Sequence, residues 1–391
     1  VVASLEMQRQ GGRLPGREEA TVGRHGCRSC AGQFGDLVLD LGNQPACDYF
    51  PLLHDLDSDP TYPLQMWLCA NCGLAQLIGE PIVAEEARGS EPEALVAQSV
   101  DAVERLEASG LLSARKRVVE FASPHGGSWL GPLVDRGLAP AADGEPGDLV
   151  IDSFGMMHDP DQATALAIRM ARVAPGGMLL LQYHSLETIV RLGQWNALRH
   201  GHFAYYSTSA LVGMLEANGF SPQTAWRFDL YGGTILLAAC RQCDPHPEAD
   251  ESVAALLSDD SWQGVRDPVA VGRLQDEAEA HARGLRDWLA ARQIDGRSVL
   301  GYGAASRAVA LLCRAKVDRQ LLPAVADSST AKHGLRMPGT DIPIVNPDSL
   351  SQHGPHDVLL FVPDLLAEVR RAHPEVEEAG GSWIDAETLR R

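Results

Sequence analysis

Eight cysteines occur in 391 residues, and four of them form two matched pairs: Cys27 and Cys30 in "CRSC", Cys69 and Cys72 in "CANC". Two such CxxC knuckles, with 38 residues between them, can offer four thiolates to one tetrahedral ion. No carboxylate or histidine is needed to complete that shell, so the spacing predicts a closed, structural zinc site rather than a catalytic one. Four thiols kept only for packing would not require the doubled spacing. A third CxxC, Cys240 and Cys243, has no partner pair and is read as unrelated to the first two.

Two histidines follow apolar runs. His202 lies in "RHGHFAYYS" and His158 in "FGMMHDPD". An imidazole of ordinary pKa can accept a proton at neutral pH, so both are candidate catalytic groups, with packed or surface histidines as the alternative. His200, Tyr205 and Tyr206 are weaker candidates, and a structural role suits the two tyrosines better. A third stretch, "GYGAASRA", follows an apolar strand and opens a helix. Gly301 and Gly303, flanking Tyr302, would let a ligand approach the backbone, and the helix N-terminus favours an anion that Ser306 and Arg307 could also reach. An ordinary strand-to-helix turn is the alternative.

These residues need a scaffold of alternating strands and helices. "RVVEFA", "DLVIDSF", "GGMLLLQYH" and "GGTILLAAC" read as strands, with helices over 95–112, 162–173 and 208–218. A long helix at about 270–292 precedes a second such unit with the strands "SVLGY", "LPAVAD", "IPIV", "DVLLFV" and "SWID". The fold class is therefore α/β with parallel sheets. The expected domains are a flexible tail at 1–26, a zinc-binding module at 27–82, a Rossmann-like domain at 83–243, a linker at 244–268 and a C-terminal Rossmann-like α/β domain at 269–391. The net charge is −19 and no basic face is visible, which argues against nucleic acid. There is no apolar run of membrane length, and residues 1–26 lack an apolar signal core; a cytoplasmic protein acting on a small molecule is expected.

The knuckles with "LDLGNQPACDYF" between them, "GHFAYYS", "LYGGT" and "GYGAASRA" together resemble the three-domain, zinc-containing sugar C-methyltransferases, over residues 27–391. That family methylates C-3 of dTDP-linked 4-keto-deoxysugars in antibiotic biosynthesis. The resemblance implies structural Zn²⁺ in the first domain, S-adenosylmethionine (SAM) in the second and a nucleotide-linked sugar held partly by the third. It implies His202 as the base at C-3 and His158 beside the cleft. It also implies Glu120, Gly126 and Gly127 at the cofactor, and Gly301, Tyr302, Gly303, Ser306, Arg307 and Lys332 at the sugar nucleotide.

The SAM half of this pattern is eroded. Ala122 replaces a glycine, Pro124 and His125 replace an Asn-Asp pair, and the family's Tyr-rich pocket segment is reduced to Arg88, Gly89 and Ser90. Gly201 replaces the glutamate before the base, Arg199 replaces a tyrosine, and Asp364 replaces an asparagine. Only 28 residues separate Glu120 from Asp148, room for one crossover helix but not for the second and third strands of a SAM-binding sheet. The acid that pairs with the ribose is then missing, apart from a conceivable role for Asp143 or Glu145. Three functions remain open at this point: methyl transfer to a keto-sugar, SAM-independent chemistry on a carbonyl compound (an epimerase, isomerase, cyclase or dehydratase), and a non-catalytic partner of another biosynthetic enzyme.

Overall fold

The computed structural model describes residues 26–55, 59–79, 93–113, 115–123, 126–242, 249–352 and 357–390. Most of the expected tail (1–25), Arg88 to Ser90, Pro124, His125 and Cys243 lie outside these residues.

The N-terminal module is an antiparallel meander of β1 (Gly35–Pro45), β2 (Thr61–Cys69) and β3 (Ala75–Leu77). Next come α1 (Glu93–Ala108), β4 (Arg117–Phe121), α2 (Leu130–Val134), β5 (Ala139–Pro140), β6 (Gly147–Ser153), α3 (Gln162–Ala171) and β7 (Val173–His184). The middle unit continues with α4 (Leu186–Arg191), β8 (Ala204–Tyr205), α5 (Thr208–Glu216), β9 (Phe220–Phe228), β10 (Thr234–Arg241) and α6 (Glu251–Gln263). Its six-stranded sheet has the order β5-β4-β6-β7-β10-β9, parallel from β5 to β7 and antiparallel beyond. β6 is apolar and buried almost throughout, as a parallel strand covered on both faces must be.

The last unit follows α7 (Pro268–Ile294). It comprises β11 (Val299–Tyr302), α8 (Ser306–Arg314), β12 (Val325–Ala326), β13 (Ile344–Val345), α9 (Ser349–Gln352), β14 (Asp357–Leu360), α10 (Leu366–Ala372), α11 (Glu375–Glu378) and β15 (Ser382–Asp385). Its sheet is wholly parallel in the order β13-β12-β11-β14-β15. α7 starts with Pro268 in its first turn and the Asp267 side chain accepting from Val269 N. It buries Val271, Leu274, Ala278, Ala282, Leu285 and Leu289, a stripe at helical spacing. That stripe belongs to one apolar core shared by the N-terminal module, residues 186–205 and the last sheet, so α7 ties the three together.

Three expectations need correction. The short span after Glu120 does admit a second strand: β5 pairs in parallel with β4, Arg117 opposite Ala139 and Val118 opposite Pro140, but it is only two residues long. The five-residue α2 and a turn at Gly137 (φ +86°) make so short a crossover possible. Among the described residues no strand lies beyond β5. Residues 244–268, expected as a linker, contain α6, capped by Asp250 and closed by left-handed Gly264 (φ +70°). Its acidic composition hid a buried face of Val253, Leu256 and Asp260. Finally, β9 was not legible as a strand.

Candidate functional site

The four thiols of Cys27, Cys30, Cys69 and Cys72 lie within 4.8 Å of one another. Sγ of Cys27 is 3.5 Å from that of Cys72, and Sγ of Cys30 is 3.7 Å from that of Cys69. A tetrahedron with Zn–S bonds of about 2.3 Å has edges of about 3.8 Å, so the cluster fits zinc in size and in donor chemistry. Asn71 Nδ2 donates to Cys30 Sγ (3.3 Å). Cys240, in β10, is not part of this cluster.

The knuckle also holds the segment that carries the candidate bases. Arg28 NH1 donates to Pro160 O (3.0 Å), just beyond His158, and Nε donates to Leu77 O (3.2 Å). Gln76 accepts from Arg28 N (2.8 Å) and pairs in β3 with Ala204 of β8. Ala204 and Tyr205 of the "GHFAYYS" stretch are therefore a short added strand on the zinc module's sheet, two residues beyond His202.

In each α/β sheet the strand order reverses at the first strand of the unit. β4 has β5 on one side and β6 on the other; β11 has β12 on one side and β14 on the other. Ligands of open α/β sheets bind at the carboxyl ends of such switch points. Here both switch points open onto one cavity of about 500 Å³. Ser123 and Gly126 after β4, Phe154 and Met157 after β6, and His184 at the end of β7 line one side. Tyr302 to Arg307, Asp327 to Ser329, Lys332 and Phe361 to Leu365 line the other. Arg199, His202 and Tyr205 form the wall between them.

The two candidate histidines meet: the rings of His158 and His202 are edge-to-face with centroids 4.5 Å apart. Burial and the nearby Arg199 charge push His158 down to about 4, so it is neutral at physiological pH. Arg199 Nε donates to His202 Nε2 (2.7 Å), and its NH1 donates to Ser306 Oγ at the start of α8. Of the weaker candidates, Tyr205 lines the cavity, but its hydroxyl donates to Ala197 O (3.3 Å) and accepts from Arg199 N (3.0 Å). Tyr206 donates to Gln162 Oε1 in the core. His200 Nε2 faces the Pro63 carbonyl (3.2 Å).

In the last unit, Gly303 (φ +94°), Tyr302, Ser306, Arg307 and Lys332 all border the cavity. Gly301 does not: a Cβ there would come within 2.9 Å of Phe361 and Val325, so its lack of a side chain serves strand packing. Lys332 is buried, donates to Ala304 O (2.9 Å) and lies 4.7 Å from the Phe50 ring centroid, holding the glycine loop against the N-terminal module.

Sequence reasoning overlooked several lining residues. His184, buried and facing the Arg307 charge, is pushed down to about 3. Phe154 (φ +63°) and Tyr231 (φ +57°) are left-handed without being glycine, and their rings meet edge-on at 5.7 Å. Such backbone is sparsely populated and gathers at functional sites. Nothing in the local sequence announces it.

The remaining cofactor candidates are engaged within the chain. Glu120 accepts from Trp129 N (2.6 Å) and Ser128 Oγ (2.7 Å), so both of its oxygens face the start of α2. Gly126 lines the cavity, whereas a Cβ on Gly127 would lie 2.7 Å from Leu95 of α1. Asp152, ending β6, is ion-paired with Arg169 at 2.7 Å, both buried. Glu145 lies within 3.8 Å of Arg117, at the start of β4 and so at the opposite end of the strand from Glu120.

Residues 27–83 match the family described as "Putative zinc binding domain", and residues 229–386 match "C-methyltransferase C-terminal domain". Among curated proteins, the C-methyltransferase NovU of Streptomyces niveus is 27% identical over 227 residues, 58% of this chain and 54% of that one. The chain thus spans about half the length of this relative. Two solved structures align with part of the chain only loosely. Magnesium protoporphyrin IX methyltransferase of Synechocystis PCC 6803 is 16% identical with a TM-score of 0.28, covering 37% of this chain and 83% of that one. The N-methyltransferase NodS of Bradyrhizobium japonicum WM9 is 17% identical with a TM-score of 0.26, covering 40% and 99%.

Proposed function

Because the chain carries the zinc-binding and C-terminal domains of the C-methyltransferase family, we propose that it is a biosynthetic enzyme that removes a proton beside the carbonyl of a nucleotide-linked keto-deoxysugar or related intermediate. His202 is the base, and the reaction does not use SAM. The observation carrying this reading is the shared cavity: His202, with the His158 ring packed edge-to-face against it, and Ser306, Arg307 and Lys332 of the last unit border the same space. A substrate held by the last unit would present its carbonyl region to His202. The α-proton passes to the imidazole and leaves an enolate; a proton returned to the same carbon from the opposite face gives the epimer, and one delivered instead to the former carbonyl carbon of the enediol gives the isomer. Neutral His158 packs against the base ring and fixes its orientation.

The residues present do not fit SAM. Both Glu120 oxygens are turned to α2, Leu95 fills the space beside Gly127, and Asp152 is held by Arg169. β5 ends without an acid: Ala139 and Pro140 stand there, and Glu145 is at the wrong end of the sheet. Losing charged hydrogen bonds of roughly 1.5–3 kcal/mol each weakens a ligand by one to two decades per bond. The four thiolates would hold zinc as a structural element, outside the reaction.

The test is deuterium wash-in. A dTDP-4-keto-6-deoxysugar in D₂O should gain deuterium next to its carbonyl with wild-type protein and no SAM, and His202→Gln should abolish the gain. Micromolar SAM binding by calorimetry, together with methylated product, would overturn the cofactor-free reading.

A further inference from the structure

The proposed base is blocked as it stands. Arg199 Nε donates to His202 Nε2 at 2.7 Å, so the lone pair that would take a proton is already occupied. A proton on that nitrogen would also face a guanidinium at hydrogen-bond distance. The other arm of Arg199 reaches across the cavity to Ser306 Oγ, in the first turn of α8. Arg307 is the next residue of α8 and lines the same cavity. Both guanidinium-bearing residues line the cavity, and the Arg307 charge is also felt by Asp364. Ala94, Leu95, Phe154, Met157 and Leu230 add apolar surface to the same lining.

We propose that Arg199 is a substrate-operated latch: an anionic oxygen of the ligand, bound between Arg199, Ser306 and Arg307, draws the guanidinium off His202 and frees its Nε2 to act as the base. Charge-assisted hydrogen bonds are about twice as strong as neutral ones, so an anion outcompetes both the imidazole and the serine hydroxyl for Arg199. The fork of the guanidinium suits two oxygens of one phosphate or carboxylate. The substrate class follows from the mixed lining of the cavity: a carbonyl compound with an anionic group near the α8 turn and a less polar portion against Phe154 and Met157. Deprotonation would then begin only once the anion is seated. This rests on His202 being the base. The anion site itself stands independently of any activity.

The test uses the full-length, zinc-loaded protein labelled with ¹⁵N-histidine, with the Nε2 resonance of His202 identified by its loss in His202→Gln. Inorganic phosphate, pyrophosphate and acetate are titrated in turn, with affinities followed by calorimetry; the preferred probe distinguishes a phosphate from a carboxylate ligand. In wild type the bound anion should shift the Nε2 resonance. In Arg199→Met the resonance should already sit at the shifted position and ignore the anion, and affinity should fall about 10- to 100-fold. Arg199→Lys, which keeps the charge without the fork, should lose less affinity and respond partly. It also serves as the test if the methionine variant does not fold. Failure of all three anions to bind wild type, binding that leaves Nε2 unmoved, or wild-type affinity in Arg199→Met would each overturn the latch. Arg199-dependent anion binding without deuterium wash-in would leave the anion site standing and sink the assignment of His202 as the base.

Discussion

The Arg28 guanidinium lies over the Phe203 ring, 4.9 Å from its centroid, so a residue between two zinc-site cysteines touches the neighbour of the proposed base. The same side chain donates to the Pro160 carbonyl and so braces the turn that carries His158. The cysteine knuckle thus helps set the geometry of the proposed base. Arg28→Met should retain one zinc per chain, measured by atomic absorption. It should lower deuterium wash-in by about 10- to 100-fold through misplacement of the histidine pair. Chelation of the zinc should remove activity and the module's fold together, seen as loss of near-ultraviolet circular dichroism.

The last unit is clamped to the N-terminal module by a buried ion pair. Arg336 donates to both oxygens of Asp59 (2.6 and 2.8 Å) and to the Asp55 carbonyl, and both side chains of the pair are less than 10% exposed. Asp59→Ala leaves a buried guanidinium without its countercharge and should cost roughly 3–5 kcal/mol in denaturant unfolding. The double variant Asp59→Leu, Arg336→Met should recover much of that loss, because no charge is then stranded.

What was legible in the sequence depended on how local the signal was. The zinc ligands, β6, β7, α5 and the "GYGAASRA" turn announce themselves by spacing, by apolar runs or by caps, and each stands where expected. The convergence of Gly126, His202 and Ser306 on one cavity follows from two switch points facing each other, a relation between sheets that no segment encodes. β5 was lost because two residues, one of them proline, carry no period. α6 was lost because it lies in an acidic, proline-containing stretch and buries only Val253, Leu256 and Asp260, too few apolar positions to show a period. Glu120 could be found as an acid after a strand, but its turn toward Trp129 N depends on how short α2 is.

Asp260 in α6 accepts from Ser209 N (2.6 Å), and burial pushes its carboxyl up to about 6. An unfolded aspartate titrates near 3.9. Between pH 4 and 6 the folded chain therefore holds the proton more tightly, and stability falls as pH rises across that window, then stays level above it. Asp260→Asn keeps the acceptor without the buried charge. It should raise the thermal midpoint at pH 7.5, with the gain shrinking to nothing below about pH 4. An equal gain at pH 3.5 and 7.5 would show that the charge is not the cause.

The buried histidines act in the opposite direction. His158 and His184 are held neutral by burial, at about 4 and about 3, the second with Nε2 at 2.9 Å from Gln194 Oε1. Their unfolded counterparts titrate near 6.5. Below that pH the unfolded chain binds more protons, so their contribution is complete above about 6.5 and is lost as pH falls toward 4. At pH 5 each should have lost about 2 kcal/mol. His184→Gln can still donate to Gln194 and does not titrate. The drop in unfolding free energy between pH 7.5 and 5 should therefore be smaller in this variant than in wild type by about that amount. An unchanged drop would mean that His184 is not held neutral in the folded protein.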